Sequence, residues 1–120
     1  MRATQQMVVP SRGDVVMVNL DPTIGQEQNG QRPALVVSVD GLNKSPAGIV
    51  IVVPITGNDR GIPAHVPVEA GEGGLTRASV LMADQVRTVS VGRLGRRLGK
   101  ISSLTMGEVE DRLKLVLGLG

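Results

Sequence analysis

Hydrophobic and polar positions along this chain fall in short runs separated by turn-forming residues. Val15–Leu20, Ala34–Val39, Ile49–Ile55, His65–Glu69 and Ser79–Val86 are each brief, rich in β-branched residues and bounded by Gly, Pro, Asn or Asp. That pattern predicts strands. Thr88–Val91 continues the last of them after a bend. Five or six strands this closely spaced, with no helical runs between them, predict a mainly β domain, either a small barrel or a strongly bent sheet. The period changes only near the end, where Met106, Val109, Leu113, Val116 and Leu117 recur at helical spacing. Thr105-Met-Gly-Glu108 reads as a capping box for that helix and Gly118 as its stop. The apolar stripe is expected to cover the chain's own sheet. Asn43–Ala47 predicts one further turn of helix.

Composition narrows the picture. The chain of 120 residues reads as a single domain over 1–120, with 1–11 a flexible polar tail rather than a signal peptide. Its hydrophobic fraction of 41% supplies one small core. A domain of this size gains from sharing an apolar face with a second copy. Aromatic residues make up 0% of the chain, so the core is built from Val, Leu, Ile, Met and Ala. The same lack argues against modules that stack bases on Phe, Tyr or Trp. With no Cys, disulfides, thiolate zinc sites and cysteine nucleophiles are excluded, which fits a reducing cytoplasm. No stretch approaches the length of a bilayer-spanning helix, so a soluble protein is expected.

Charge is uneven. Residues 1–60 carry five basic and five acidic residues, whereas 61–120 carry eight and six, so the net +2 resides in the second half. Within it, 87–100 holds Arg87, Arg93, Arg96, Arg97 and Lys100 with no acid. Such a segment is either a solvated loop or a surface for a polyanion or an acidic protein tail.

One connection is richer in chemistry than its position requires. GQEQNGQRP, residues 25–33, lies between two predicted strands, in a link from Asp21 to Pro33 much longer than a hairpin needs. Pro33 biases Arg32 towards an extended conformation at the start of the following strand. Glu27 and Arg32 are then either a structural ion pair or an acid–base group beside a phosphate clamp. Thr56 closes the third strand, where a hydroxyl caps a turn or binds a phosphate. Asp84 and Gln85 interrupt an apolar run, placed either outside the strand or in hydrogen bonds within the fold. The lone His65 has no second His, Cys or paired Ser pattern nearby and reads as an ordinary surface or edge-strand residue. The carboxylates are scattered without metal-ligand spacing, and there is no GxGxxG or P-loop, so no metal and no cofactor is expected.

RGDVVMVNLDPTIGQEQNGQRPALVVS, followed in order by VVPITGNDRG, GGLTRASVLMADQVRTV and the closing helix, resembles the MazF/PemK family of bacterial toxin ribonucleases. The resemblance runs from about Arg12 to Leu117. It implies an SH3-like β-barrel with a terminal helix, assembled as a homodimer in the bacterial cytoplasm. It further implies metal-independent cleavage of single-stranded RNA at short motifs. A cognate MazE-like antitoxin with a flexible acidic tail is the implied protein partner. Carried over by position, Glu27 is the implied catalytic carboxylate, Arg32 the arginine and Thr56 the hydroxyl. Gln28, Gln31, Asp84, Gln85 and Arg87 are the expected RNA-binding residues around them. The PemK/Kid branch has a histidine and an arginine where this chain has Gln26 and Met82, so that branch's His–Arg–Asp set does not carry over intact.

These side chains fit attack by the RNA's own 2′-OH, with Glu27 as general base and Arg32 holding the phosphate. Thr56 would position the scissile group. Two rival readings remain at this point. A gyrase-poisoning toxin of related fold depends on a C-terminal Trp, which this chain lacks. A module that binds RNA or an acidic peptide without cutting would need the basic segment but not Glu27.

Overall fold

Seven antiparallel strands and a C-terminal helix form the chain in a computed structural model that describes residues 9–20 and 30–120. Residues 1–8 of the predicted tail, together with Glu27 and Gln28, lie outside the described residues. The strands are β1 (Asp14–Asn19), β2 (Gln31–Val36), β3 (Ile49–Thr56), β4 (His65–Val68), β5 (Ser79–Met82), β6 (Arg87–Ser90) and β7 (Leu94–Lys100). Their hydrogen-bonded order is β4-β5-β3-β2-β1-β7, with β6 also paired to β3. The mainly β expectation holds, with seven strands in place of five or six.

Two of the differences have simple causes. The predicted run Ser79–Val86 stops at Met82, because Ala83–Gln85 turns as a 3-10 helix before β6 begins. The basic segment is no solvated loop: after a further 3-10 turn at Val91–Arg93, LGRRLGK forms β7 against β1. Its Gly and Arg content hid the strand, since neither residue signals β structure. Gly99 is needed there because the Glu72–Gly74 turn presses on the strand. A Cβ at Gly99 would stand 2.8 Å from the Gly73 carbonyl, and one at Gly74 would stand 2.1 Å from the Leu98 oxygen.

Both faces of the central strands are covered. Val15, Leu35, Val53, Ile55, Val66, Leu81 and Val109 lie in one buried cluster. Val16, Val18, Ala34, Val36, Val50, Val52 and Val89 lie in the other. Alternation along β1, β2 and β3 sends successive residues to opposite faces, so near-continuous Val-rich runs are what a sheet buried on both sides requires.

The helix α2 (Ser103–Leu117) starts earlier than the capping box predicted. Ser102 is the cap, its hydroxyl accepting from the Thr105 N–H at 3.2 Å, while Thr105 is buried in the first turn. Glu72 accepts from the Ser102 N–H at 2.8 Å, tying the helix start to the turn beneath β7. That backbone hydrogen bond outweighs partial burial and holds the Glu72 carboxyl below its ordinary range. Met106, Val109 and Leu113 face the core as the stripe predicted, but Leu117 is exposed and Val116 only partly covered. Gly118 ends the helix in the left-handed conformation. The short helix α1 spans Asp40–Asn43 and ends where the predicted turn at Asn43–Ala47 was to begin. Among the described residues no helix is long and apolar enough to cross a membrane.

Candidate active site

The site opens where the outer edge of β3 changes partner. Ile49–Val52 pair with β6 and Ile55–Thr56 with β5, leaving a gap between the two ladders. Pro54, which has no N–H to give, falls in that gap, and the Ala83–Gln85 turn lies opposite it in the chain. A hollow of about 410 Å³ forms there, lined by Pro54, Thr56, Met82, Gln85, Arg87 and Arg32, with Leu20, Ile62 and His65 at its apolar and buried sides. The volume lies within the usual range for a small-ligand site.

A second hollow of about 330 Å³ adjoins the first, and Arg32, Ile55 and Thr56 line both. Arg77 and Arg96 line the second, and Arg60 and Arg87 the first. Five arginines therefore border one continuous depression, and among the described lining residues there is no carboxylate. Low-dielectric walls and charge of one sign focus a positive potential suited to a polyanion. Arg77 is held close to the centre: a Cβ placed on Gly57, next to Thr56, would stand 3.4 Å from its guanidinium.

Arg32 is the second residue of β2, opposite Val18 in the register, and its side chain reaches the junction of the two hollows. Thr56 ends β3, and its hydroxyl oxygen accepts from the Asn58 N–H at 3.2 Å. The turn-capping reading of Thr56 is thus correct, and the same residue still lines both hollows, with its hydroxyl proton free to donate. Gln85 and Arg87 join Arg32 and Thr56 in the first hollow. Gln31 does not: its side chain lies beside Gly95 of β7. Asp84 is not among the lining residues, because its carboxylate accepts from His65 Nε2 at 2.9 Å.

Of the two expectations for His65, a surface or an edge-strand residue, the second holds and the first does not. His65 sits on the edge strand β4, yet its ring is buried and borders the first hollow. No sequence signal places it beside Asp84, since 19 residues separate them and only the β4–β5 pairing brings them together. Arg60 and Arg77 were also missed as lining residues; their only signal was charge in glycine-rich loops.

Three members of the basic segment are occupied with the fold, Lys100 among them through the Arg12 carbonyl at 3.1 Å. Arg93 donates to the Asn19 carbonyl at 3.0 Å, and Arg97 Nε donates to Asp14 Oδ1 at 3.0 Å. Asp14 is buried, which alone would raise its pKa. Hydrogen bonds from the Ser11 N–H and Arg97, with the charges of Arg97 and Lys100, outweigh that and leave it lowered.

Comparison with known proteins gives a consistent result. A family model described as the PemK-like, MazF-like toxin of type II toxin–antitoxin systems matches residues 11–117. An endoribonuclease MazF from Staphylococcus saprophyticus is 40% identical over 111 residues, covering 90% of this chain and 91% of the relative. Endoribonuclease MazF9 of Mycobacterium tuberculosis is 37% identical over 113 residues, covering 90% and 96%. A crystal structure of MazE–MazF from Deinococcus radiodurans superposes with a TM-score of 0.81 at 31% identity, covering 94% of this chain and 99% of that one.

Proposed function

Since this chain belongs to the PemK-like, MazF-like toxin family of type II toxin–antitoxin systems, we propose that its arginine-lined depression is the centre of a metal-independent endoribonuclease acting on single-stranded RNA at a short motif. The observation that carries this reading is the meeting of two positively bordered hollows at Arg32 and Thr56. A phosphodiester laid across that junction leaves one neighbour in each hollow.

The reaction is transfer of the phosphoryl group within the substrate. The ribose 2′-oxygen attacks the adjacent phosphorus while Glu27 takes its proton, a role worth typically 10² to 10⁴ in rate. The bond to the 5′-oxygen breaks, that oxygen takes up a proton, and the products are a 2′,3′-cyclic phosphate and a 5′-hydroxyl. Arg32 offers paired N–H donors to the phosphate and stabilises charge growing on its oxygens. Thr56 donates its hydroxyl proton to a phosphate oxygen from a rigid strand end. Gln85 and Arg87 contact the flanking nucleotide in the first hollow; Gln28 and Gln31 are further proposed RNA contacts, and Asp84 contributes through its bond to His65. The nucleophile belongs to the substrate and arginine supplies the compensating charge, so the scheme asks nothing of a metal. A MazE-like antitoxin with an acidic flexible tail is the protein partner, the active form is a homodimer, and the setting is the bacterial cytoplasm.

A chimeric oligonucleotide tests the scheme. One 2′-deoxy nucleotide on the 5′ side of the scissile bond should block cutting, while excess EDTA should leave it unchanged. Activity that EDTA abolishes and magnesium restores would overturn it. RNA binding without any cutting would instead leave a recognition module.

A further inference from the structure

We propose that His65 is a positioning residue for RNA recognition, acting through Asp84 to hold the Ala83–Gln85 turn so that Gln85 faces the first hollow. The inference rests on the reading of that hollow as part of an RNA site. Three observations carry it.

The first is the site of the turn. It occupies the gap between the β5–β3 and β6–β3 pairings, so ladder hydrogen bonds hold the chain on either side of it but not within it. No side chain caps it either; Ala83 only accepts from the Val86 N–H at 3.3 Å. The Asp84 carboxylate is thus the turn's side-chain tether, and among the described residues its partner is His65 at 2.9 Å.

The second is the cost of the histidine. His65 is 6% exposed, on a strand whose other buried residues, Val66 and Val68, point to the opposite face. Its Nδ1 is buried without a hydrogen-bond partner among the described residues. With a carboxylate at Nε2, that nitrogen donates, and the buried Nδ1 goes without a partner, which costs free energy. For filling space a leucine would be the cheaper residue. What leucine lacks is an N–H that reaches Asp84.

The third is rigidity behind the pair. The helix α2 packs on both β4 and the Ala83–Gln85 turn, and Arg112 Nε donates to the Pro63 carbonyl at 2.8 Å just before β4. His65 therefore stands on a fixed support and transmits that position to the turn. The side chain that benefits is Gln85, whose amide carries both a donor and an acceptor, the pair needed to read the edge of an unstacked base.

The substitutions His65→Gln, His65→Leu and Asp84→Asn, each alone and combined with Gln85→Ala, test this. His65→Gln retains an N–H at nearly the same reach, so it should retain discrimination between the preferred RNA motif and a singly altered one. His65→Leu should lose roughly tenfold of that discrimination, the order expected for one base contact. A packing role predicts the reverse ranking, with Leu tolerated better than Gln. In the Gln85→Ala background His65→Leu and Asp84→Asn should have no further effect, whereas additive losses would overturn the proposal. Asp84→Asn guards against misfolding, since its side chain is 38% exposed. A readout without RNA separates this inference from the ribonuclease reading. The protein's one histidine gives a single set of ring signals, expected to show the proton on Nε2, and Asp84→Asn should shift the Gln85 amide signals. Unmoved Gln85 signals would sink the positioning role whatever the catalytic result.

Discussion

The hydroxyl oxygen of Thr56 accepts the Asn58 N–H at 3.2 Å at a strand end that lines both hollows, and its own O–H remains available to donate. Thr56→Ser keeps both roles and should retain most activity. Thr56→Val keeps the shape but loses the donor, and removal of one preorganised donor typically costs about 10² to 10³ in kcat. Single-turnover cleavage of a motif-bearing RNA, with melting temperatures as the folding control, decides between them. Equal activity of the two variants would confine Thr56 to capping its turn.

Arg32→Ala and Glu27→Gln should fail differently. Without Arg32 the phosphate charge goes uncompensated, so both RNA affinity and turnover fall, the latter by about 10² to 10³. Glu27→Gln removes the base but keeps hydrogen-bonding shape, so RNA binding survives while cutting is lost. Filter binding beside the cleavage assay separates the two effects. Near-normal turnover in both folded variants would leave this pair as a structural ion bridge.

Asp14 and Glu72 make the fold acid-sensitive. Both have folded-state pKa values below the unfolded ones, so their stabilisation is full above the ordinary carboxylate range. It is lost as pH falls below 4.5 and then 3.8, the ordinary values of Glu72 and Asp14. Asp14→Asn removes the charge facing Arg97 and Lys100 and leaves one acceptor oxygen where Ser11 and Arg97 use two, so it should cost about 1–3 kcal/mol at neutral pH. Its stability should also decline less between neutral pH and pH 3 than that of the parent protein. Urea titrations at several pH values measure both effects.

An acidic antitoxin segment should compete with RNA for the depression. Arg93 and Arg97 are engaged with Asn19 and Asp14, so replacing them tests the fold as much as the partner. Arg77, Arg87 and Arg96 are the better set, since all three line the hollows. Their replacement by Ser should weaken an acidic antitoxin peptide and steepen its loss with salt less than in the parent. Simultaneous, non-competitive binding of RNA and peptide would place the antitoxin on another face.

The amino-acid sequence by itself determined the fold class, six of the seven strands and the terminal helix. Those features rest on local alternation and on period, which β-branched runs and the Met106–Leu113 stripe state plainly. The resemblance to the MazF/PemK family singled out Arg32, Thr56, Gln85 and Arg87; from the residues alone, Arg32 and Thr56 could as well have been a structural ion pair and a turn cap. What the sequence could not decide was pairing across distance. The Arg- and Gly-rich β7 has no strand signature of its own and exists because β1 offers it an edge and the glycines of the Glu72–Gly74 turn let it pass close. The helix cap moved from Thr105 to Ser102 because Glu72, thirty residues away, satisfies the Ser102 N–H. His65 met Asp84 only once β4 paired with β5. The gap that opens the site arises because one strand, β3, is shared by two partners that pair with different parts of it. Local pattern sets which segments can be strands, but long-range hydrogen bonding and burial choose their neighbours, and the site is a property of the neighbours.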